Sequence, residues 1–179
     1  MSYFMAYTQQ RPDGEIQKAV DQAKSRAVQE FTNMSFQGEY PETGYGIVSM
    51  RPRHIQAGAA AWGSSNFWAS CYTASVTWEA WVNITQTELA FEIICGLWNY
   101  EASPKTVEVY MTADGRDFPT INIEEMYAYD VARIFWAKPL TISPKKAWTF
   151  WHKGTNTGVE REGIVGYTLG TRSWLILRG

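Results

Sequence analysis

One stretch of alternating residues constrains the fold of this chain more than any other. Residues 75–97 read SVTWEAWVNI, TQTE and LAFEIICGL, with apolar side chains at every second position of the first and last segments. A period of two is typical of strands with one buried face, and a short polar link between such strands indicates an antiparallel hairpin. We therefore expect a hairpin at the centre of a β-sandwich. Its expected core residues are Trp78, Val82, Phe91 and Ile93.

Short strand-like segments recur through the rest of the chain. They lie at about residues 45–50, 66–73, 106–112, 117–123, 131–137, 147–152, 163–169 and 172–178. Asp114 and Gly115 stand between two of them and are a strong signal for a tight hairpin turn. Many short strands separated by turn residues are typical of all-β sandwiches. The predicted fold is an all-β, jelly-roll-like antiparallel β-sandwich whose last strand runs to the end of the chain.

The N-terminal part has a different pattern. Residues 1–12 are predicted to be an extended arm, and a helix is expected at about residues 15–31 because apolar residues recur there at helical spacing. The apolar stripe consists of Ile16, Val20, Ala23, Ala27 and Phe31. This helix suits packing against a neighbouring subunit or against its own sandwich, and the sequence leaves both open. We divide the chain into an arm and helix, residues 1–34, and a β-sandwich, residues 35–179.

Several residues are candidates for contacts between subunits. The arm carries three aromatic rings and only one charged residue, Arg11, so we expect it to be ordered through contacts with another subunit. The connection at residues 54–65, HIQAGAAAWGSS, is long and made of small residues, and such loops are often functional or ordered by a partner. The predicted subunit contacts are Tyr3, Phe4, Tyr7, Ile16, Val20 and Trp62.

Composition and charge exclude several classes of partner. The formal net charge is −2 and charged residues are 19% of the chain, so no electrostatic case exists for binding nucleic acid through a basic arm. The first residues lack the pattern of a signal peptide, and no apolar run reaches the length of a membrane span. Of the two cysteines, Cys95 is expected to be a reduced core thiol, although a bridge to Cys71 stays open.

Two passages resemble a known family. TVEVYMTADGRDFPTI, residues 106–121, resembles the strand, Asp-Gly turn and strand of galactose-binding-like jelly rolls of the discoidin type. KPLTISPKKAWTF, residues 138–150, is similar to the strand pair that follows in those modules. The resemblance implies a jelly-roll fold. The family includes sugar-binding modules, lipid-binding modules and structural pieces of virions, and its binding loops are too variable to be carried over to residues here.

The sequence contains no recognisable catalytic or metal-binding motif. His54 and His152 have no cysteine or carboxylate at metal-ligand spacing. Paired carboxylates occur at Glu124 with Glu125 and at Asp114 with Asp117. The second pair could bind Ca²⁺, but we favour capping of the turn by these two side chains. The C-terminal third is modestly basic, Glu160 and Glu162 interrupt its charge, and we expect these charged residues on a solvated face; the basic residues are Lys145, Lys146, Lys153, Arg161 and Arg172. Trp148 and Trp151 in that third suggest a surface on which the bases of single-stranded nucleic acid could stack. The acidic residues disfavour this interpretation.

We therefore expect no enzyme, no cofactor and no metal. The predicted function is that of a structural protein in a virion or similar assembly, such as a capsid, decoration or spike subunit. Its partners would be copies of itself and other assembly subunits, and its location would be the virion, after synthesis in a host cytoplasm. The alternative is a carbohydrate-binding β-sandwich module with a glycan as its partner, and an enzyme on the same fold is a third reading.

Overall fold

A computed structural model describes residues 5–7, 14–36, 44–55, 70–72, 77–85, 90–155 and 158–178. Its elements follow in the order β1 (Met5–Tyr7), α1 (Gly14–Phe36), β2 (Tyr45–Ser49), β3 (Ser70–Tyr72), β4 (Glu79–Thr85), β5 (Ala90–Asn99), β6 (Thr106–Ala113), β7 (Arg116–Asp117), β8 (Ile121–Asn122), α2 (Ile123–Ala128), β9 (Arg133–Ile142), β10 (Ala147–Gly154), β11 (Gly158–Glu160), β12 (Glu162–Thr171) and α3 (Arg172–Arg178). In the part of the chain so described, none of the helices is both long and apolar enough to cross a membrane.

The strands form a sandwich of two antiparallel sheets. The first sheet has the order β1-β9-β5-β12-β2, and the second has the order β4-β10-β6-β7 with β8 also paired to β6. Five antiparallel pairs are nested along the chain: β2 with β12, β3 with β11, β4 with β10, β5 with β9, and β6 with β8; the pair of β3 and β11 forms a small sheet of its own. Nested pairs wrapped into two sheets are the strand order of a jelly roll. The predicted all-β sandwich is confirmed.

Helix α1 covers the outer face of the first sheet. Its predicted apolar stripe is confirmed, because all five residues are buried in a cluster with Phe91, Ile93, Phe135 and Leu169 of the sheet. Ile16 and Val20 are only 4% and 2% exposed. They therefore contact the chain's own sheet and not a neighbouring subunit, to which the sequence analysis had assigned them. The physical reason is that β5 is buried on both faces, and the helix supplies the outer cover.

A β-bulge changes the predicted register of β4. Val82, Phe91 and Ile93 are fully buried as predicted, but Trp78 is 36% exposed and Trp81 is buried instead. Phe150 lies opposite Val82 and Trp151 lies opposite Ala80, so Trp81 is the extra residue of the bulge. Because a bulge turns the residues before it to the other face, the prediction for Trp78 was wrong.

The predicted central hairpin is also wrong in its pairing. Strand β4 belongs to the second sheet, where it pairs with β10, whereas β5 lies in the first sheet between β9 and β12. The expected link was residues 85–88; Thr85 is the last residue of β4, and residues 86–88 lie outside the described residues. Alternation predicts which face of a strand is buried and says nothing about its neighbour. By contrast, the Asp114-Gly115 turn between β6 and β7 is confirmed, with φ of 51° and 73°.

The two ends of the chain differ from the predictions. Within the predicted arm, Met5, Ala6 and Tyr7 pair with β9, so this part is ordered by the chain itself through a backbone ladder. Tyr3, Phe4 and Trp62 lie outside the described residues. The C-terminal segment is helix α3 and not a strand. The Thr171 hydroxyl accepts a hydrogen bond from the Trp174 backbone N–H at 3.3 Å, as an N-capping residue does.

Candidate binding surface at one end of the sandwich

Three exposed tyrosines lie near the end of the sandwich where β5 finishes. Tyr100 directly follows β5 and is 54% exposed, whereas Tyr127 and Tyr129 lie on and just after α2 and are 57% and 72% exposed. We call these three residues the tyrosine surface. Tyrosine combines a large apolar ring with a polar tip, and it is enriched where proteins bind partners. This region is therefore the candidate binding surface.

A cavity of about 200 Å³ opens beside Tyr100 and Tyr127. Residues 99–104 provide one part of its lining, and residues 123–132 provide the other. Ile123 and Met126 are buried lining residues, while Glu101 and Asp130 add carboxylates. The site thus combines aromatic rings, an apolar part and acidic groups around one concave space.

Local sequence explains the shape of α2. The Asn122 side chain accepts a hydrogen bond of 3.1 Å from the Glu125 backbone N–H and so caps the N-terminus. At the other end Asp130 has a left-handed φ of 55°, and the Val131 N–H donates to the Met126 carbonyl at 2.8 Å. This is a Schellman motif with aspartate in place of the usual glycine. It ends the helix within the lining of the cavity and leaves Tyr127 and Tyr129 exposed.

A buried carboxylate anchors the loop that carries Tyr100. Glu160 is 1% exposed, and its Oε2 accepts hydrogen bonds from the backbone N–H groups of Lys105 and Thr106 at 3.0 and 2.8 Å. The Thr106 hydroxyl donates to the same oxygen at 3.0 Å. The Asn99 amide donates to Oε1 at 2.6 Å. Four donors around one carboxylate hold both ends of loop 100–105 to the sandwich.

The polar network continues into the interior. His152 Nδ1 lies 3.3 Å from Glu162 Oε1, and these residues are 1% and 2% exposed. The His152 ring stacks on Trp81 at a centroid distance of 6.3 Å. A histidine beside a carboxylate is a familiar acid–base arrangement, but both side chains are buried in this structure. The network acts as a support for the surface above it.

The prediction that Glu160 and Glu162 lie on a solvated face was wrong. Glu160, Glu162 and Ile164 occupy alternate positions and are all buried, while Arg161 between the glutamates is exposed. The sequence signal was this alternation, which places both acids in phase with a core isoleucine. The charge of the two glutamates argued against burial, because buried acids are rare unless they are paired.

Hydrogen bonds transmit this support to the surface. The Asn99 side-chain oxygen accepts from the Glu101 backbone N–H at 2.9 Å, and Glu101 Oε1 accepts from the Arg161 N–H at 2.8 Å. Arg133 donates to the Tyr100 hydroxyl at 2.7 Å. These hydrogen bonds restrain the Tyr100 side of the cavity.

The remaining residues considered from the sequence do not come together in a site. Asp114 pairs with Lys146 at 3.0 Å in the β6–β7 turn, and Glu124 and Glu125 lie in the first turn of α2. Trp148 is buried in the core, whereas Trp151 stacks on Tyr110, so the two tryptophans do not share a surface. Across the described ranges, no three His, Cys, Asp or Glu side chains are grouped as metal ligands would be.

Comparisons with known proteins add no relative. Neither models of protein families, nor curated proteins, nor solved structures match this chain.

Proposed function

We propose that the chain is a structural subunit of a virion or a comparable assembly, such as a capsid, decoration or spike protein. The observation that carries this proposal is the tyrosine surface, with its three rings between 54% and 72% exposed. A jelly-roll strand order is found in capsid proteins and also in lectins. Since one fold serves many functions, the surface and not the fold supports the proposal.

Burial of the tyrosine surface would contribute substantially to association. A tyrosine buries about 150–250 Å² when it is fully covered. Covering the exposed half of one ring, roughly 100 Å², contributes a transfer free energy of roughly 2–3 kcal/mol at about 25 cal/mol per Å², from which the cost of association is subtracted. Three such rings would act as the few central residues that dominate most interfaces.

The support below the surface favours a protein contact further. Ordering side chains and loops on binding opposes association. Here Tyr100 is already held by Arg133, and its loop is already anchored by Glu160 through Lys105 and Thr106. Less conformational entropy is then lost when a partner subunit arrives.

Carbohydrate binding is the second candidate, and the cavity favours it. A volume of about 200 Å³ exceeds the roughly 150 Å³ that holds a benzene ring, so one six-membered sugar ring would fit. Tyr100 and Tyr127 would offer ring surfaces, and Glu101 and Asp130 would offer acceptors for hydroxyl groups. A lectin-like module would use the same surface in the monomer.

Light scattering on the purified full chain separates the two candidates. We expect the wild type to form a defined oligomer and the double variant Tyr127→Ser, Tyr129→Ser to be a monomer with little change in melting temperature. The matched control is Ile176→Ser, which removes a side chain that is 77% exposed on α3. Strand β12 pairs with β5 so that Glu162 faces Asn99 and Gly170 faces Ala90, which places α3 at the opposite end of the sheet.

Two other outcomes would contradict the assembly proposal. A wild type that stays monomeric at high concentration, and whose melting temperature rises with a sugar only when Tyr100 and Tyr127 are intact, would replace the assembly proposal by the carbohydrate-binding one. A monomer without any such shift would remove both.

A further inference from the structure

A second cavity, of about 160 Å³, is lined by β9, by β6 and by the segment that carries β8. The buried residues Met111, Ile121 and Trp136 contribute to its lining. Phe118 and Leu140 are partly buried and pack against the same core cluster. Unlike the cavity beside the tyrosine surface, its lining is almost entirely apolar.

An irregularity of β9 explains why the space exists. Leu140 lies opposite Ile94 and Phe135 lies opposite Gly96, so four residues of β9, 136–139, face the single residue Cys95 of β5. The chain therefore bulges away from β5, and Pro139 within the bulge has no N–H to offer a ladder. On the facing sheet, β7 and β8 are only two residues long each. Neither side closes the gap.

One side chain of this lining carries a positive charge. Of the eight lining residues only Lys138 is charged, and its side chain is exposed. Lys138 forms no ion pair or hydrogen bond with any other residue that the structure describes. An apolar space with a few placed polar groups is the usual character of a small-molecule site.

We propose that this cavity binds a small amphiphile with an anionic head, namely a straight-chain carboxylate of about six to eight carbons. A cavity of roughly 150 Å³ holds benzene, so about six carbons of a tail fit the space. The tail would supply the dispersion contacts that an empty apolar space lacks. The carboxylate would remain at the mouth beside Lys138, where a cation favours an anion and disfavours an ammonium group.

The test uses three probes with the full chain, each below its micelle concentration. Hexanoate has the tail and the anionic head, hexylamine has the same tail with a cationic head, and acetate has the head alone. We expect hexanoate to bind saturably in calorimetry and to raise the melting temperature, as a ligand of the folded state must. Hexylamine and acetate at equal concentration should do neither.

Two charge variants separate the site from general surface binding. Lys138→Glu should weaken hexanoate binding at least tenfold and strengthen hexylamine binding. Lys18→Glu, an equal charge change at an exposed position on α1, should alter neither. Because both positions are exposed, both variants should fold. The proposal is overturned if hexanoate does not bind, if hexylamine binds equally well to the wild type, or if Lys138→Glu leaves the hexanoate affinity unchanged. This outcome is independent of the oligomeric state and so of the proposed function.

Discussion

The Asn99 side-chain amide donates a hydrogen bond of 2.6 Å to the Glu160 carboxylate, and the two residues are 7% and 1% exposed. The same amide nitrogen lies 3.5 Å from Glu162 Oε2. One amide thus stands between two buried acids, while its oxygen accepts from the Glu101 N–H. Asn99 connects the interior of the sandwich to the candidate binding surface.

Substitution of Asn99 should be sensitive to charge. Asn99→Ala removes one of the hydrogen-bond donors to the buried Glu160 carboxylate, and we expect a loss of about 1–3 kcal/mol in the free energy of unfolding. Asn99→Asp retains the shape but places a third acid beside Glu160 and Glu162, so it should be more destabilising than alanine near pH 7. Urea unfolding at equal pH measures both. A more stable aspartate variant would contradict the position of Asn99 between two buried acids.

The β-bulge in β4 predicts opposite behaviour for two nearby tryptophans. Trp81→Ala removes a side chain that is 2% exposed and should lower the free energy of unfolding by about 3–5 kcal/mol. Trp78→Ala removes a ring on the outer face, in contact with Tyr110, and should lower it by about 1 kcal/mol. Thermal or urea unfolding of the pair gives the comparison. A larger loss at Trp78 would restore the simple alternation that the sequence suggested.

Because of His54, we expect the free energy of unfolding to fall in weak acid. Burial, followed by the nearby charges of Arg53 and Arg51, lowers the pKa of His54 from 6.5 to about 4, although a hydrogen bond to the Ser49 backbone partly offsets this. In the folded state, its Nδ1 accepts a hydrogen bond from the Arg51 N–H at 3.1 Å. Between pH 6.5 and 4 the unfolded chain binds a proton that the folded chain does not. The contribution of His54 to the free energy of unfolding is therefore complete above its ordinary pKa. It is lost as the pH falls towards 4, and the loss is at most about 3 kcal/mol.

The variant His54→Asn tests that assignment. Asparagine keeps an acceptor for the Arg51 N–H but has no proton to bind. The variant should lose less stability than the wild type when the pH is lowered from 7 to 4.5, even if it is less stable at pH 7. Equal slopes of unfolding free energy against pH would assign the acid sensitivity to other groups.

Cys95 should be unreactive in the folded protein. Burial raises the pKa of its thiol to about 12, with Lys24 opposing the shift, and the residue is 1% exposed and not in a disulfide. Because the thiolate is the reactive form, a Cys71→Ser variant should not react with a thiol reagent at pH 8. One thiol should appear when the same variant is unfolded in guanidinium. Rapid labelling of the native variant would contradict the buried position of β5.

Local patterns were sufficient for several elements that depend on near neighbours, although not for α3, which the sequence predicted as a strand. The apolar stripe from Ile16 to Phe31 predicts α1 because its spacing places those residues on one side of a helix. The Asp114-Gly115 pair predicts its turn because both residues tolerate a positive φ. The phases of Val82, Phe91 and Ile93 predict their burial because side chains alternate along a strand.

Tertiary structure decided the pairings and the site. The sequence by itself determined that β4 and β5 each have a buried face, but only closure of the nested strand pairs placed them in different sheets. The bulge at Trp81 depends on the pairing of Val82 with Phe150, which lies far along the chain. The inward position of Glu160 depends on Thr106 and Asn99, which lie 54 and 61 residues away. The local alternation of Glu160, Glu162 and Ile164 is compatible with an inward position, but the partners that make burial of the acids favourable are reached only when distant strands meet.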